Sequence, residues 1–189
     1  MAFRRGFKSQ CERRSAEYRK QLGLKDVDAL DAKKLAKHLG VTVWSVADVQ
    51  GLLDEEVKTL IDPADDSWSA LTMRLGAQDL VLYKPVSSVG RTNSVIMHEL
   101  AHIVLGHELA EACLLPDGSL VPGNFSQEQE DEADWFAGTL LLPRPALVSI
   151  RLNRIADDVA CSRFLVSREM LVWRNRMTGV EYQFAGSRA

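Results

Sequence analysis

The chain has 189 residues, of which 46% are hydrophobic and 26% are charged, and its formal net charge at pH 7 is −3. This is the length and composition of one globular domain with a buried core, not of a disordered or fibrous protein. The sequence contains neither an apolar run long enough to span a membrane nor the pattern of a secretory signal, so no membrane contact is expected. The cysteines are few and scattered, which predicts reduced thiols and a cytoplasmic location: Cys11, Cys113 and Cys161.

The first predicted element is a basic N-terminal helix within residues 1–24. Residues 1–20 contain seven Lys or Arg and two Glu, a net charge of +5 that leaves −8 for the rest of the chain. A solvated basic face is favoured here over a nucleic-acid or membrane contact. The opposite face, which we expect to pack on the acidic body, has an apolar stripe formed by Phe7, Cys11, Tyr18 and Leu22.

Short helices and strands are predicted next, from apolar periodicity and turn residues. The predicted bounds are helices at 32–39 and 52–61 and strands at 41–44, 70–75 and 80–84. The last two strands are joined by the turn sequence Gly-Ala-Gln-Asp. A small mixed sheet is expected, and one of its edges can bind an extended peptide as an added strand.

Residues 30–49 also match the outline of a DNA-binding helix-turn-helix. The segment that would be its recognition helix, residues 43–48, has no Arg, Lys, Asn or Gln to read base edges. Its Asp48 would face the phosphates unfavourably. Direct nucleic-acid binding is therefore not expected.

The most informative motif is His98-Glu99-Leu100-Ala101-His102, which lies in an apolar stretch that predicts a helix. Residues four apart share one face of a helix, so His98 and His102 can direct two imidazole nitrogens at one metal ion. Glu99 can take a proton from a water at the open side of that metal, as in metal-assisted peptide hydrolysis. Candidate N-caps and a candidate C-terminal stop flank the stretch: Thr92, Asn93, Ser94 and Gly106.

A catalytic zinc needs a third protein ligand, which we expect downstream of this helix. The residues that follow His98 do not fit the metzincin spacing. At about 100° per residue His107 would point away from His98, which predicts a surface or helix-end position for it.

A second helix is predicted from an acidic and then apolar stretch that ends at Pro143. Its Glu130 can complete a His-His-Glu site, and Glu128 and Glu132 compete for the same role. Asp134 lies four residues after Glu130 and can hydrogen-bond a ligating histidine. The alternative is an acidic helix N-terminus that only complements the helix dipole.

Two further segments complete the chain. Residues 108–127 join the two motif-bearing helices as a loop or short hairpin, which we expect to overhang the cleft and limit access to extended substrates. Residues 155–177 predict a helix pair that closes the domain.

The segments HELAHIVLGH and EDEADWFAGTLLLP together resemble the ImmA/IrrE family of zincin-like metallopeptidases. The stretch KKLAKHLGVTV, Arg91 and the Val-Ser within FLVSREMLVWR are similar to that family too, so the resemblance covers roughly residues 20–180. It implies a cytoplasmic prokaryotic or phage-derived protease that cuts a helix-turn-helix repressor. It also implies site roles: metal ligands His98, His102 and Glu130, catalytic base Glu99, and a supporting Asp134 where the family often has Asn.

We therefore expect an α+β fold, a single zincin-like metallopeptidase domain that is mostly helical with a small mixed sheet beside the active-site helix. The expected parts are the basic helix in residues 1–24, the peptidase core in residues 25–150 and a helical segment in residues 151–189. The expected function is zinc-dependent endoproteolysis of narrow specificity on a repressor, with Mn²⁺ as the alternative metal. The rival is a non-enzymatic regulator that binds a repressor or DNA. The candidate donors to the oxyanion are Tyr83, Arg91, His107 and Tyr182.

Overall fold

The secondary structure is mostly helical, in a computed structural model that describes residues 3–49, 51, 53–62, 68–85, 88–108, 113–114, 120–121 and 125–185. The helices are α1 Phe7–Gln21, α2 Ala32–Leu39, α3 Asp54–Leu60, α4 Val89–Leu105, α5 Gln127–Leu141, α6 Arg144–Leu152, α7 Asp157–Phe164, α8 Arg168–Thr178 and α9 Val180–Ala185. The strands are β1 Thr42–Ser45, β2 Ala70–Leu75, β3 Gln78–Tyr83, β4 Cys113–Leu114 and β5 Leu120–Val121. The predicted α+β class is confirmed.

The main sheet has three strands in the order β1-β3-β2, so β1 and β2 form its two edges. β1 runs parallel to β3, and β2 runs antiparallel to it. The β2–β3 hairpin is tighter than predicted, because Leu75 already pairs with Gln78. Gly76 makes the two-residue turn possible, since it adopts a left-handed φ of +63° that favours glycine.

The region that outlined a helix-turn-helix is part of this sheet. Val43 and Trp44 pair with β3, and a 3₁₀ turn at Val46–Asp48 follows β1 directly. The second helix of the motif is absent from this described segment. A strand and a 3₁₀ turn therefore stand where a helix-turn-helix would have its recognition helix.

The core is centred on the contact between α4 and α5. Helix α4 buries one apolar face, and α5 is buried along most of its second half. The buried apolar residues of these two helices are Ile96, Met97, Leu100, Ala101, Ala133, Trp135, Phe136, Ala137, Leu140 and Leu141. Among the described residues, no helix is both long and apolar enough to cross a membrane.

Helix α1 packs on α5 and the core with the predicted stripe, of which Tyr18 and Leu22 are partly buried, and its fully buried face includes two further polar residues. Phe7 and Cys11 are buried as expected, but Ser15 and Arg19 continue the buried face. Burial raises the pKa of the Cys11 thiol to about 12, so this cysteine stays protonated. Cys11 and Cys161 are both free.

Two buried arginines stabilise the C-terminal end of α5, which has no basic residue of its own in its last turn. Arg19 of α1 donates to the Leu140 carbonyl at 2.6 Å, and Arg174 of α8 donates to the Leu142 carbonyl at 3.1 and 3.2 Å. Burial lowers the pKa of both guanidinium groups to about 10, so both remain charged at neutral pH. They satisfy carbonyls that the helix leaves unpaired and complement its dipole.

Helix α4 begins earlier than the candidate caps predicted. Its N-cap is Ser88, whose hydroxyl accepts from the Arg91 amide at 3.1 Å. Asn93 is instead a buried link: its Oδ1 accepts from the Ala32 amide and its Nδ2 donates to the Leu165 carbonyl. The predicted end at Gly106 is confirmed.

The first turn of α4 also touches the connection between α7 and α8. A Cβ added at Gly90 would lie 2.6 Å from the Val166 carbonyl carbon and 2.8 Å from its oxygen. These atoms are backbone and cannot rotate away. Gly90 therefore allows the C-terminal helices to approach α4 closely.

We expect Gly90→Ala to lower the free energy of unfolding by about 1–3 kcal/mol, the usual cost of overpacking. The sign is diagnostic, because Gly→Ala inside a helix ordinarily stabilises by about 0.5–1 kcal/mol. Urea unfolding measures the change, with the exposed neighbour Arg91→Ala as control, expected within about 0.5 kcal/mol of wild type. A stabilised Gly90→Ala variant would contradict the close approach.

Candidate metal centre

The two histidines of the central motif lie one turn apart on α4 and face the same point. Their Nε2 atoms are 3.0 Å apart. His102 is buried with 1% of its surface exposed, whereas His98 keeps about a quarter of its side chain accessible. The pair therefore reaches from the interior to the floor of an open cleft.

Helix α5 adds one carboxylate to this pair. Glu130 Oε2 lies 3.1 Å from His98 Nε2 and 3.8 Å from His102 Nε2. The two acids that competed with Glu130 in the sequence lie elsewhere: Glu128 is exposed, and Glu132 faces His107 and Arg4. The structure thus brings His98, His102 and Glu130 together as a potential metal-binding group.

The spacing of these three donor atoms fits a zinc ion. Zinc bonds of about 2.0–2.1 Å at tetrahedral angles set neighbouring ligand atoms about 3.3 Å apart. The three separations here, 3.0, 3.1 and 3.8 Å, bracket that value. Two imidazole nitrogens and one carboxylate also form a donor set found in catalytic zinc sites.

Asp134 contacts the ring of His98 at Nδ1, the nitrogen that does not face Glu130 and His102. Its Oδ1 lies 3.0 Å from His98 Nδ1, so a proton on Nδ1 is donated to the carboxylate and Nε2 keeps its lone pair. Burial alone would lower the pKa of His98, but the Asp134 hydrogen bond and the charges of Glu99, Asp134 and Glu130 raise it above its ordinary value. The structure thus brings Asp134 within hydrogen-bond distance of His98.

Glu99 is buried beside the metal-binding group and has one hydrogen-bond partner that the sequence did not predict. Thr72 on β2 donates its hydroxyl to Glu99 Oε2 at 2.7 Å. Burial raises the pKa of Glu99, while this hydrogen bond opposes the shift. A carboxylate with a raised pKa is a better proton acceptor near neutral pH.

His107 lies at the end of α4, one of the two positions predicted for it, but it is buried and not on the surface. Its Nδ1 is 2.9 Å from His102 Nδ1, and only 9% of the residue is exposed. The prediction assumed that helical geometry continues, but α4 ends at Leu105 and Gly106 turns the chain with a φ of +72°. His107 then donates its amide to the His102 carbonyl at 3.1 Å.

His102 is more deeply buried than His98, and an aromatic ring covers it. The ring of Phe125 stacks on the His102 ring at a centroid distance of 3.9 Å. Burial, together with the charges of His98 and His107, lowers the pKa of His102 to about 3, so the ring is neutral. A neutral imidazole is the form that binds metal.

The cleft above these residues has a volume of about 420 Å³. Its floor is polar, and its walls are mainly small or apolar. Edge strand β2, helices α4 and α5, and Met170 of α8 all contribute to it. The residues that line it are Ser69, Ala70, Ser94, Val95, His98, Glu99, Glu130, Asp134, Ala137 and Met170.

The four candidate oxyanion donors occupy different places. His107 lies behind His102, Tyr83 is buried and accepts a hydrogen bond from Lys33 Nζ, and Tyr182 on α9 is 70% exposed. Arg91 is exposed and precedes His98 by seven residues, which puts it on the same face of α4. None of these four residues is among those that line the cleft.

Much of the predicted loop between α4 and α5 lies outside the described residues. Its described part includes the short antiparallel pair β4–β5, in which Cys113 pairs with Val121 and Leu114 with Leu120. The part of the loop that was predicted to overhang the cleft lies outside the described residues.

Comparison with known proteins identifies the family of this chain. No curated protein matches the sequence. A solved structure titled Mycobacterium tuberculosis transcriptional regulator is similar at 18% identity and a TM-score of 0.49. The match covers 91% of this chain and 47% of that one, so this chain spans about half the length of that protein. The family model of the IrrE N-terminal-like domain, Peptidase_M78, matches residues 60–175, and the chain therefore belongs to that family.

Proposed function

We propose that this protein is a zinc-dependent endopeptidase of narrow specificity. The observation that carries the proposal is the donor group of His98, His102 and Glu130 beside the buried carboxylate of Glu99. Membership of a peptidase family supports the same reaction class. Glu99 favours an enzyme over a regulator that only binds, because binding alone needs no proton acceptor beside the metal.

Each residue would have a distinct role. His98, His102 and Glu130 would hold the metal, and Asp134 would orient the ring of His98. A bound zinc ion supplies Lewis acidity, which lowers the pKa of a water and polarises a carbonyl. Glu99 would accept the proton of the attacking water and pass it to the leaving amine. Thr72 would orient the Glu99 carboxylate through its hydrogen bond.

The edge strand β2 is the best candidate to bind the peptide substrate. It contributes Ala70 and the preceding Ser69 to the cleft, and its outer edge is not paired within the described sheet. An extended peptide could add there as a further strand, through main-chain hydrogen bonds. Such binding requires an unfolded segment or linker in the substrate.

The proposed substrate is a helix-turn-helix repressor in the cytoplasm of a prokaryote, by resemblance to the ImmA/IrrE family. Met170 of α8 and Ala137 of α5 add apolar surface to the cleft in which this substrate would bind. Cleavage would release the genes that the repressor holds silent.

The metal ligands can be tested one at a time. His98→Ala, His102→Ala and Glu130→Ala should each sharply lower the zinc bound per chain, because each removes one of three protein ligands. The control is Glu128→Ala on the same helix as Glu130, which should leave bound zinc unchanged. Elemental analysis of the purified variants measures it, and full zinc occupancy in Glu130→Ala would contradict the ligand assignment.

The role of Asp134 predicts a smaller effect. Asp134→Ala should weaken zinc binding about 10–100-fold without abolishing it, as loss of a hydrogen-bond partner of a ligating histidine usually does. Competition with a chromophoric chelator measures the affinity. An unchanged affinity would show that Asp134 is a surface residue of α5 that does not contribute to zinc binding.

The role of Glu99 separates an enzyme from a binding protein. Glu99→Gln keeps the size of the side chain but removes proton acceptance, so zinc binding and fold should survive. Repressor cleavage should fall by at least the roughly 10²–10⁴-fold that general-base catalysis contributes. The uncut repressor should still bind, and Glu128→Gln should cleave as wild type does.

Cleavage is followed on a gel with the candidate repressor, and derepression is followed in cells. If Glu99→Gln releases the repressed genes as well as wild type does, proteolysis is not how this protein acts. The regulator that works by binding alone would then be the correct function.

A further inference from the structure

A second set of polar side chains lies behind His102, on the side of its ring away from the cleft. His102 Nδ1 is 2.9 Å from His107 Nδ1, and His107 Nε2 is 3.4 Å from Glu132 Oε2. His107 is 6% exposed and Glu132 16% exposed at the side chain, so water has little access to this row. Neither residue lines the cleft described above.

The protons of this row have one self-consistent arrangement. His102 must keep the Nε2 lone pair free if Nε2 is to bind metal, so its proton is on Nδ1. His107 Nδ1 must then accept that proton's hydrogen bond, and the His107 proton is on Nε2. There it points at the Glu132 carboxylate, which can only accept.

The opposite arrangement is unfavourable at both ends. A proton on His107 Nδ1 would leave the His107 Nε2 lone pair facing the Glu132 carboxylate. It would also push the His102 proton to Nε2, where it would face His98 and block metal binding. Burial prevents water from compensating either mismatch.

We propose that His107 and Glu132 are positioning residues that select the metal-binding tautomer of His102 and hold its ring. This inference rests on the proposed metal site and adds residues to it. His98 and His102 would then be supported independently, His98 by the half-exposed Asp134 and His102 by the buried His107 and the partly buried Glu132. Arg4 lies 3.9 Å from the other Glu132 oxygen, so α5 and the N-terminal segment both fix this carboxylate.

The test uses zinc affinity of the full chain, measured by chelator competition, in a series at His107. His107→Leu removes the acceptor and should weaken zinc binding about 10–100-fold. His107→Asn places an amide oxygen near the position of Nδ1, so it should restore affinity to within about threefold of wild type. Equal loss in His107→Leu and His107→Asn, or no loss in His107→Leu, would overturn the proposal.

A matched pair on α5 tests the second residue. Glu132→Ala should weaken zinc binding several-fold, whereas Glu128→Ala, exposed on the same helix, should not change it. The free energy of unfolding of the zinc-free variants distinguishes a residue that positions His102 from one that only packs. Zinc affinity that falls only in proportion to the stability of the zinc-free fold would assign the pair a structural role and overturn the proposal.

A spectroscopic measurement gives the tautomer directly. Two-bond ¹H–¹⁵N correlations of the zinc-loaded protein should show His107 protonated at Nε2 and not at Nδ1. A His107 protonated at Nδ1 would overturn the proposal. Zinc binding without cleavage of any repressor would instead contradict the endopeptidase, and the affinity series would still decide the role of His107 and Glu132.

Discussion

The packing of α4 against α5 is the contact on which the rest of this molecule depends. It forms the centre of the core, and it also brings His98 and His102 within reach of Glu130. The polar donors lie at the end of the interface that opens into the cleft, while the apolar residues of both helices fill the rest. The core and the candidate metal site thus share one interface, so a shift of either helix would separate the donor atoms.

The C-terminal end of α5 is fixed by charges from outside the helix. Arg19 and Arg174 come from opposite ends of the chain and bind carbonyls of the same terminus. Glu12 Oε1 also accepts from Arg174 at 3.3 Å, so the buried guanidinium has a carboxylate partner. A buried charge is costly unless it is paired and hydrogen-bonded. Arg174 has this carboxylate, whereas Arg19 donates to the Ser15 hydroxyl and to the Asp28 and Leu140 carbonyls. They join α1 and α8 to the helix that carries Glu130.

Three glutamates near the site have different partners because they lie at different positions on the two central helices. Glu99, Glu130 and Glu132 are all acids on the two central helices. Glu99 faces the cleft from a buried position, Glu130 faces the two imidazoles, and Glu132 faces His107. Each carboxylate therefore has a different partner, although Glu130 and Glu132 are separated by a single residue.

The sequence by itself determined the elements with strong local patterns: the α4 motif, the acidic start of α5, the hairpin and the α+β class. Spacing along a helix was enough to pair His98 with His102 and Glu130 with Asp134, because helical geometry is local. Only the tertiary structure showed that Glu130, and not Glu128 or Glu132, lies beside the two histidines, and that Thr72 contacts Glu99, since these depend on how separate elements pack. It also showed that His107 is buried. Helical periodicity had predicted the direction of the His107 side chain as if α4 continued, but Gly106 has a left-handed φ and ends the helix. Local rules predict a side chain's direction only as far as its helix continues, and long-range packing decides the rest.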